Sequence, residues 1–128
     1  MDEIERLRRE AFGDEGYEKW IVGEKKLDRQ IAISLKAGEL ASKGDVDKAI
    51  RIYELLAAEN FRYPTPYGRL AIIYRKRKQY PEEIRILEKG IWVFENIVPK
   101  SMGGRELMVE KYRKRLEKAK AMMAKAQI

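Results

Sequence analysis

Apolar and aromatic positions recur at helical spacing along most of the chain, and between residues 33 and 90 the pattern appears twice at a fixed offset of 34. Ile33/Tyr67, Ala37/Ala71, Leu40/Tyr74, Val46/Tyr80, Ile50/Ile84 and Tyr53/Leu87 stand in register, and Leu56/Gly90 closes the set where two helices would come close. IRIYE at 50–54 returns as IRILE at 84–88. A constant period of this length is the mark of stacked repeats, and 34 residues suit a pair of antiparallel helices. Small residues at Ala37 and Ala71 allow helix axes to approach to about 8–10 Å, with the aromatic positions filling the space between layers.

Helix punctuation follows the same pattern. A long helix over residues 24–43 is ended by Gly44, and Asp45 or Asp47 can cap a second one that reaches about residue 60 with Ala49, Ile50, Tyr53, Leu56 and Ala57 facing inward. Pro64 and Pro66 permit the start of a helix but not its middle, so a third begins near Thr65 and ends near Lys78. Pro81 opens a fourth, with Glu82 and Glu83 in its first turn, running to about Ile97. A last helix over 105–125 carries Met108, Tyr112, Leu116 or Arg115, Ala119 and Met123 on one face, and it suits the open end of a stack. Residues 1–12 place Ile4, Leu7, Ala11 and Phe12 at helical spacing until Gly13, Asp14 and Gly16 interrupt them, and Tyr17, Trp20 and Ile21 form a second apolar cluster before Gly23. The fold class is all-α: one domain over 1–128, with an N-terminal arm or cap at 1–22, repeats at 30–63 and 64–97, and a C-terminal capping helix at 105–125.

Tyr67, Leu70, Ala71 and Tyr74 keep the spacing W-x2-L-G-x2-Y, and Ala49 and Tyr53 keep A-x3-F. On these residues the stretch 30–97 resembles the tetratricopeptide repeat family. Lys36, Glu83, Phe61 and Glu95 depart from its pattern. The resemblance implies a right-handed superhelix and a protein-binding groove lined by the first helix of each repeat. Carried over, that face holds Leu35, Gly38, Ala41 and Ser42, then Arg69, Ile72, Arg75 and Lys76, then Leu107, Glu110, Arg113 and Lys114 if the last helix keeps register from Tyr112. The carboxylate clamp of some relatives is not implied, because Ser34 and Gly38 stand at its positions.

Charge sharpens the expected partner. The net +7 is unevenly placed: residues 1–22 carry seven acidic and four basic side chains, whereas residues 61–128 carry seventeen basic and seven acidic. An electropositive body with an acidic leader favours an acidic partner, whether a protein, a nucleic acid or the chain's own N-terminus. The first expectation is a protein or peptide segment with acidic and apolar residues, held by Leu35, Arg69, Ile72, Arg75, Lys76, Arg113 and Lys114. The second is nucleic acid on the basic runs 75–78 and 112–115, which suffice for phosphate contacts but not for specificity. The third is a homo-oligomeric scaffold, a homodimer through the N-terminal arm.

The chain has no Cys and no His. That removes disulfides, thiolate metal sites, the commonest general base and any Ser/His or Cys/His nucleophile. No phosphate-binding glycine loop or metal-ligand spacing is present either, so neither an enzyme nor a cofactor is expected. No stretch is apolar enough for a membrane span or a signal peptide, and a soluble cytoplasmic protein is the expectation.

Overall fold

The computed structural model describes residues 3–127. The side chains of Ile4, Phe12, Tyr17, Trp20 and Ile21, on which the expected N-terminal cap rests, lie outside the described residues, as do those of Glu5, Arg8, Lys19, Val22 and Glu24. The described residues form α1 (Glu3–Ser42), α2 (Val46–Ala58), α3 (Thr65–Lys76), α4 (Tyr80–Asn96) and α5 (Arg105–Ala126), with no strand among them. Each helix packs mainly on its neighbours in sequence, α1 on α2, α2 on α3, α3 on α4 and α4 on α5.

The offset of 34 reappears in the backbone. Between α1 and α2, Lys43 N–H donates to the Glu39 carbonyl at 3.1 Å, Gly44 to Ala41 at 3.1 Å and Asp45 to Leu40 at 2.9 Å. Thirty-four residues on, Arg77 donates to Ile73 at 3.1 Å, Lys78 to Arg75 at 3.0 Å and Gln79 to Tyr74 at 2.8 Å. Gly44 has φ 92° and Lys78 φ 57°. Asp45 (φ −87°, ψ 65°) and Gln79 (φ −92°, ψ 65°) enter their helices alike. Lys78 takes the left-handed conformation without being glycine, at roughly 1–2 kcal/mol, and the same three hydrogen bonds hold it there.

The core is one cluster built from Ala37, Ala49, Tyr53, Leu56, Tyr67, Leu70, Ala71, Ile86, Leu87, Val93, Phe94 and Tyr112, among others. An aromatic chain ties its second half together: Tyr67 meets Phe94 edge-on at 6.1 Å between centroids, and Phe94 meets Tyr112 at 5.8 Å. Both hydroxyls donate to backbone, Tyr67 to the Phe61 carbonyl at 2.6 Å and Tyr112 to the Pro64 carbonyl at 3.0 Å. Gly90 makes the approach of α5 possible: a Cβ there would lie 3.1 Å from Tyr112 Cε2 and 3.1 Å from Tyr67 Cβ. Arg105 then donates to the Phe94 and Glu95 carbonyls, satisfying the C-terminal end of α4 where α5 begins.

Several expectations are corrected. The break expected over residues 13–16 falls at Gly13, where two helical pieces meet at a kink, and the second piece continues to Ser42. α1 runs through Gly16 and Gly23, and only Gly13 departs from helical dihedrals (φ 73°, ψ 162°). A glycine costs a helix only about 1 kcal/mol, which a long helix tolerates. Among the described residues of α1, none before Leu27 joins the core. Ile33, expected to match Tyr67, is 39% exposed against 0%, because no other helix among the described residues packs on that side of α1. The inward stripe of α1 instead includes the polar Gln30 and Ser34, while Ile31 and Leu35 face outward. Trp92, whose size alone would favour burial, is 46% exposed, with Lys89 Nζ 4.8 Å from its ring centroid. No helix among the described residues is long and apolar enough to cross a membrane.

Candidate functional site

α1 and α3 lie on either side of α2 and leave a groove whose floor is Tyr53. Two adjoining cavities, about 520 and 370 Å3, share Gly38, Tyr53 and Arg69. α1 contributes Ile31, Leu35, Gly38, Ala41 and Ser42, and α3 contributes Arg69, Ile72 and Lys76. Helical spacing explains the two walls: Ile31, Leu35, Gly38 and Ser42 follow i, i+4, i+7, i+11, and Arg69, Ile72 and Lys76 follow i, i+3, i+7. The carried-over faces of the first and second repeats are therefore brought together, with Arg75 as the exception.

The walls are apolar along their length with charge at intervals. Leu35 is 68% exposed and Ile72 45%, so the groove presents side chains of the kind that elsewhere fill the core. Neither Arg69 nor Lys76 forms an ion pair among the described residues. Gly38 packs over the Tyr53 hydroxyl, a Cβ there standing 3.7 Å from it, and Tyr53 is 1% exposed. Burial pushes the Tyr53 phenol above its ordinary value and the neighbouring Arg69 pulls it back. This hydroxyl thus remains a neutral donor on the floor beside a guanidinium. Arg77 closes one end, its Nη1 2.8 Å from Asp47 in the first turn of α2. Tyr63 and Thr65 mark the other.

Arg75 is engaged inside the fold. Its Nη2 lies 2.7 Å from the Glu83 carboxylate, which is buried, and donates to the Arg115 carbonyl at 3.2 Å. It joins α3, α4 and α5 and lines, with Ile72, Lys76 and Arg115, a small cavity beside the groove. Arg113 and Lys114 are also elsewhere: Arg113 is paired with Glu95 of α4 at 3.0 Å and Lys114 with Glu110 at 3.2 Å. The register carried from Tyr74 to Tyr112 does not hold, because Tyr112 docks over Gly90 and so turns Arg115 toward α3, where it lines a small cavity with Ile72, Lys76 and Glu83. Arg77 lines the groove and Arg115 the small cavity beside it; Lys78 lines neither.

Ile31, Tyr53 and Arg115 were not among the expected contacts. For Tyr53 a signal existed in Gly38, a position of α1 that lets the floor of the groove come close to the helix. Arg115 had only its place as the alternative to Leu116 on the packed face of α5, since its direction depends on how α5 docks. Among the described residues no group of three or more acidic or other ligating side chains is placed to hold a metal ion. No known protein family, curated protein or solved structure matches the chain.

Proposed function

We propose that this chain is a non-enzymatic protein-interaction module of the tetratricopeptide-repeat kind, binding a segment with acidic and apolar residues in the α1–α3 groove. One observation carries the reading: Arg69 and Lys76, without ion-pair partners among the described residues, flank the exposed Ile72 opposite the exposed Leu35. Apolar side chains supply the area, and the cations set the register of the carboxylates.

Nucleic acid is the second reading, and the basic runs support it less than their composition suggests. Arg75, Arg77, Arg113 and Lys114 are each paired with a carboxylate of this chain, which leaves fewer cations for phosphates. The two readings separate by fluorescence anisotropy with a labelled acidic-apolar peptide and a labelled single-stranded RNA. Arg69→Glu with Lys76→Glu should weaken the peptide about tenfold or more, while Lys118→Glu with Lys120→Glu on the exposed side of α5 leaves it unchanged. Equal losses of RNA in both pairs, each lowering the salt slope by about one per lost contact, with no peptide binding, would replace this reading by nucleic-acid binding.

A further inference from the structure

α1 is much longer than the body that it packs on. α2 has 13 residues and spans about 20 Å, whereas α1 from residue 14 to its end at Ser42 spans about 43 Å at 1.5 Å per residue. The helix therefore projects past the stack, and beyond Gly13 it carries nearly three further turns of helix, residues 3–12. That terminal piece has its own stripe: Glu3, Leu7 and Glu10 follow i, i+4, i+7, all three exposed, with Leu7 at 56%. Arg6 borders the stripe. Arg9 lies on another side, within 3.6 Å of Asp14 and 3.3 Å of Glu18.

The groove presents the inverse of that stripe. Arg69, Ile72 and Lys76 put two cations seven residues apart around an apolar side chain, and Glu3, Leu7 and Glu10 put two carboxylates seven residues apart around another. Both separations are about 10 Å along a helix. Resting on the reading of the α1–α3 groove as the binding site, we infer that its occupant is the N-terminal helix of a second copy of this chain, exchanged reciprocally so that two copies close a twofold dimer.

The same chain cannot fill its own groove in this way. Turned back at Gly13, the ten residues of the terminal helix reach about 15 Å, while Ile31, the nearest groove residue of α1, lies about 27 Å from Gly13 along the same rigid helix. The overhang that forbids self-docking is what lets the helix reach a neighbour.

A charge swap tests this on the full-length chain by sedimentation equilibrium, from micromolar upward. The wild type should sediment at twice the chain mass. Glu3→Lys with Glu10→Lys, or separately Arg69→Glu with Lys76→Glu, should weaken association about a hundredfold or more, because like charges then face each other. An equimolar mixture of the two variants should recover the dimer, since each groove again meets an arm of opposite sign; a folding defect in either variant would not be repaired by mixing. A monomeric wild type, dimers that persist in either variant, or a mixture that stays monomeric overturns the inference. The reading beneath it is checked separately: if an unrelated acidic-apolar peptide binds the wild type and is lost on Arg69→Glu with Lys76→Glu, the groove stands as a binding site and only the self-occupancy falls. If neither peptide nor second copy engages the groove, both fall.

Discussion

The pairs α1/α2 and α3/α4 share a turn, hydrogen bond for hydrogen bond, yet they are filled differently at matching positions. Where the first pair has Ala41 and Ala49, the second has Arg75 and the buried Glu83, 2.7 Å apart. Where the first has Leu56, the second has Gly90, with Tyr112 seated in the space. Ile33 is exposed and its counterpart Tyr67 is buried. Each difference has the same origin in neighbours. The second pair is sandwiched between α2 and α5, so its positions must seat an aromatic chain and a bridge to the α5 backbone, whereas the outer side of α1 meets no helix among the described residues. Repeated backbone does not require repeated side-chain function, and the polar bridge sits where three helices meet rather than two.

The sharpest way to break this comparison is to truncate the matched pair Ile33 and Tyr67. Tyr67→Ala should lose about 3–5 kcal/mol through the cavity and the lost hydroxyl contact, against under about 1 kcal/mol for Ile33→Ala. Urea unfolding reads both, and similar losses would mean that Ile33 is covered. Next, Arg75→Ala leaves a buried carboxylate without its cation and should cost about 3 kcal/mol or more. Adding Glu83→Ala, which restores the Ala/Ala composition of the first pair, should recover part of that loss; a double variant as unstable as the sum would show that the two sites act independently.

Gly90→Ala should destabilise by about 1–3 kcal/mol through overpacking against Tyr112 and Tyr67. The same change in a Tyr112→Ala background should cost clearly less, and an unchanged cost in a thermal-melt cycle would detach Gly90 from the docking of α5. The smallest effect appears only in alkali. Burial pushes the Tyr112 phenol from 10.0 up to about 12, with Arg115 opposing, and burial also raises Tyr67 and Tyr74. The folded chain keeps these protons longer than the unfolded one, so their contribution is present below pH 10 and declines as pH rises from about 10 toward 12. Tyr112→Phe should flatten that decline in melts taken across the range, and an identical slope would remove Tyr112 from the account.

Much of this architecture was legible in the pattern of residues. Gly44, Pro64, Pro66 and Pro81 place helix ends within two or three residues, since they act through local dihedral limits. The two walls of the groove follow from helical period once Ala37 and Ala71 are taken as the close contacts. Arg75 was misplaced because its spacing on α3 allows either a groove position or a turn toward α4, and Glu83, which draws it inward, looks like an ordinary first-turn acid. Arg113 and Lys114 were misplaced for a related reason: the linker before α5 breaks the period, so no offset carries a register across it.

By itself the sequence determined what depends on neighbours along the chain: the 34-residue period, the helix boundaries, the absence of Cys and His chemistry, and the separation of an acidic leader from a basic body. Only the tertiary structure decided which cations are paired inside the fold, that Tyr53 forms the floor of the groove, and that α1 overhangs the stack. Those properties depend on how helices rotate about their own axes when they dock. A rotation of one residue, about 100°, moves a side chain from groove to interface without altering the pattern that made the helix.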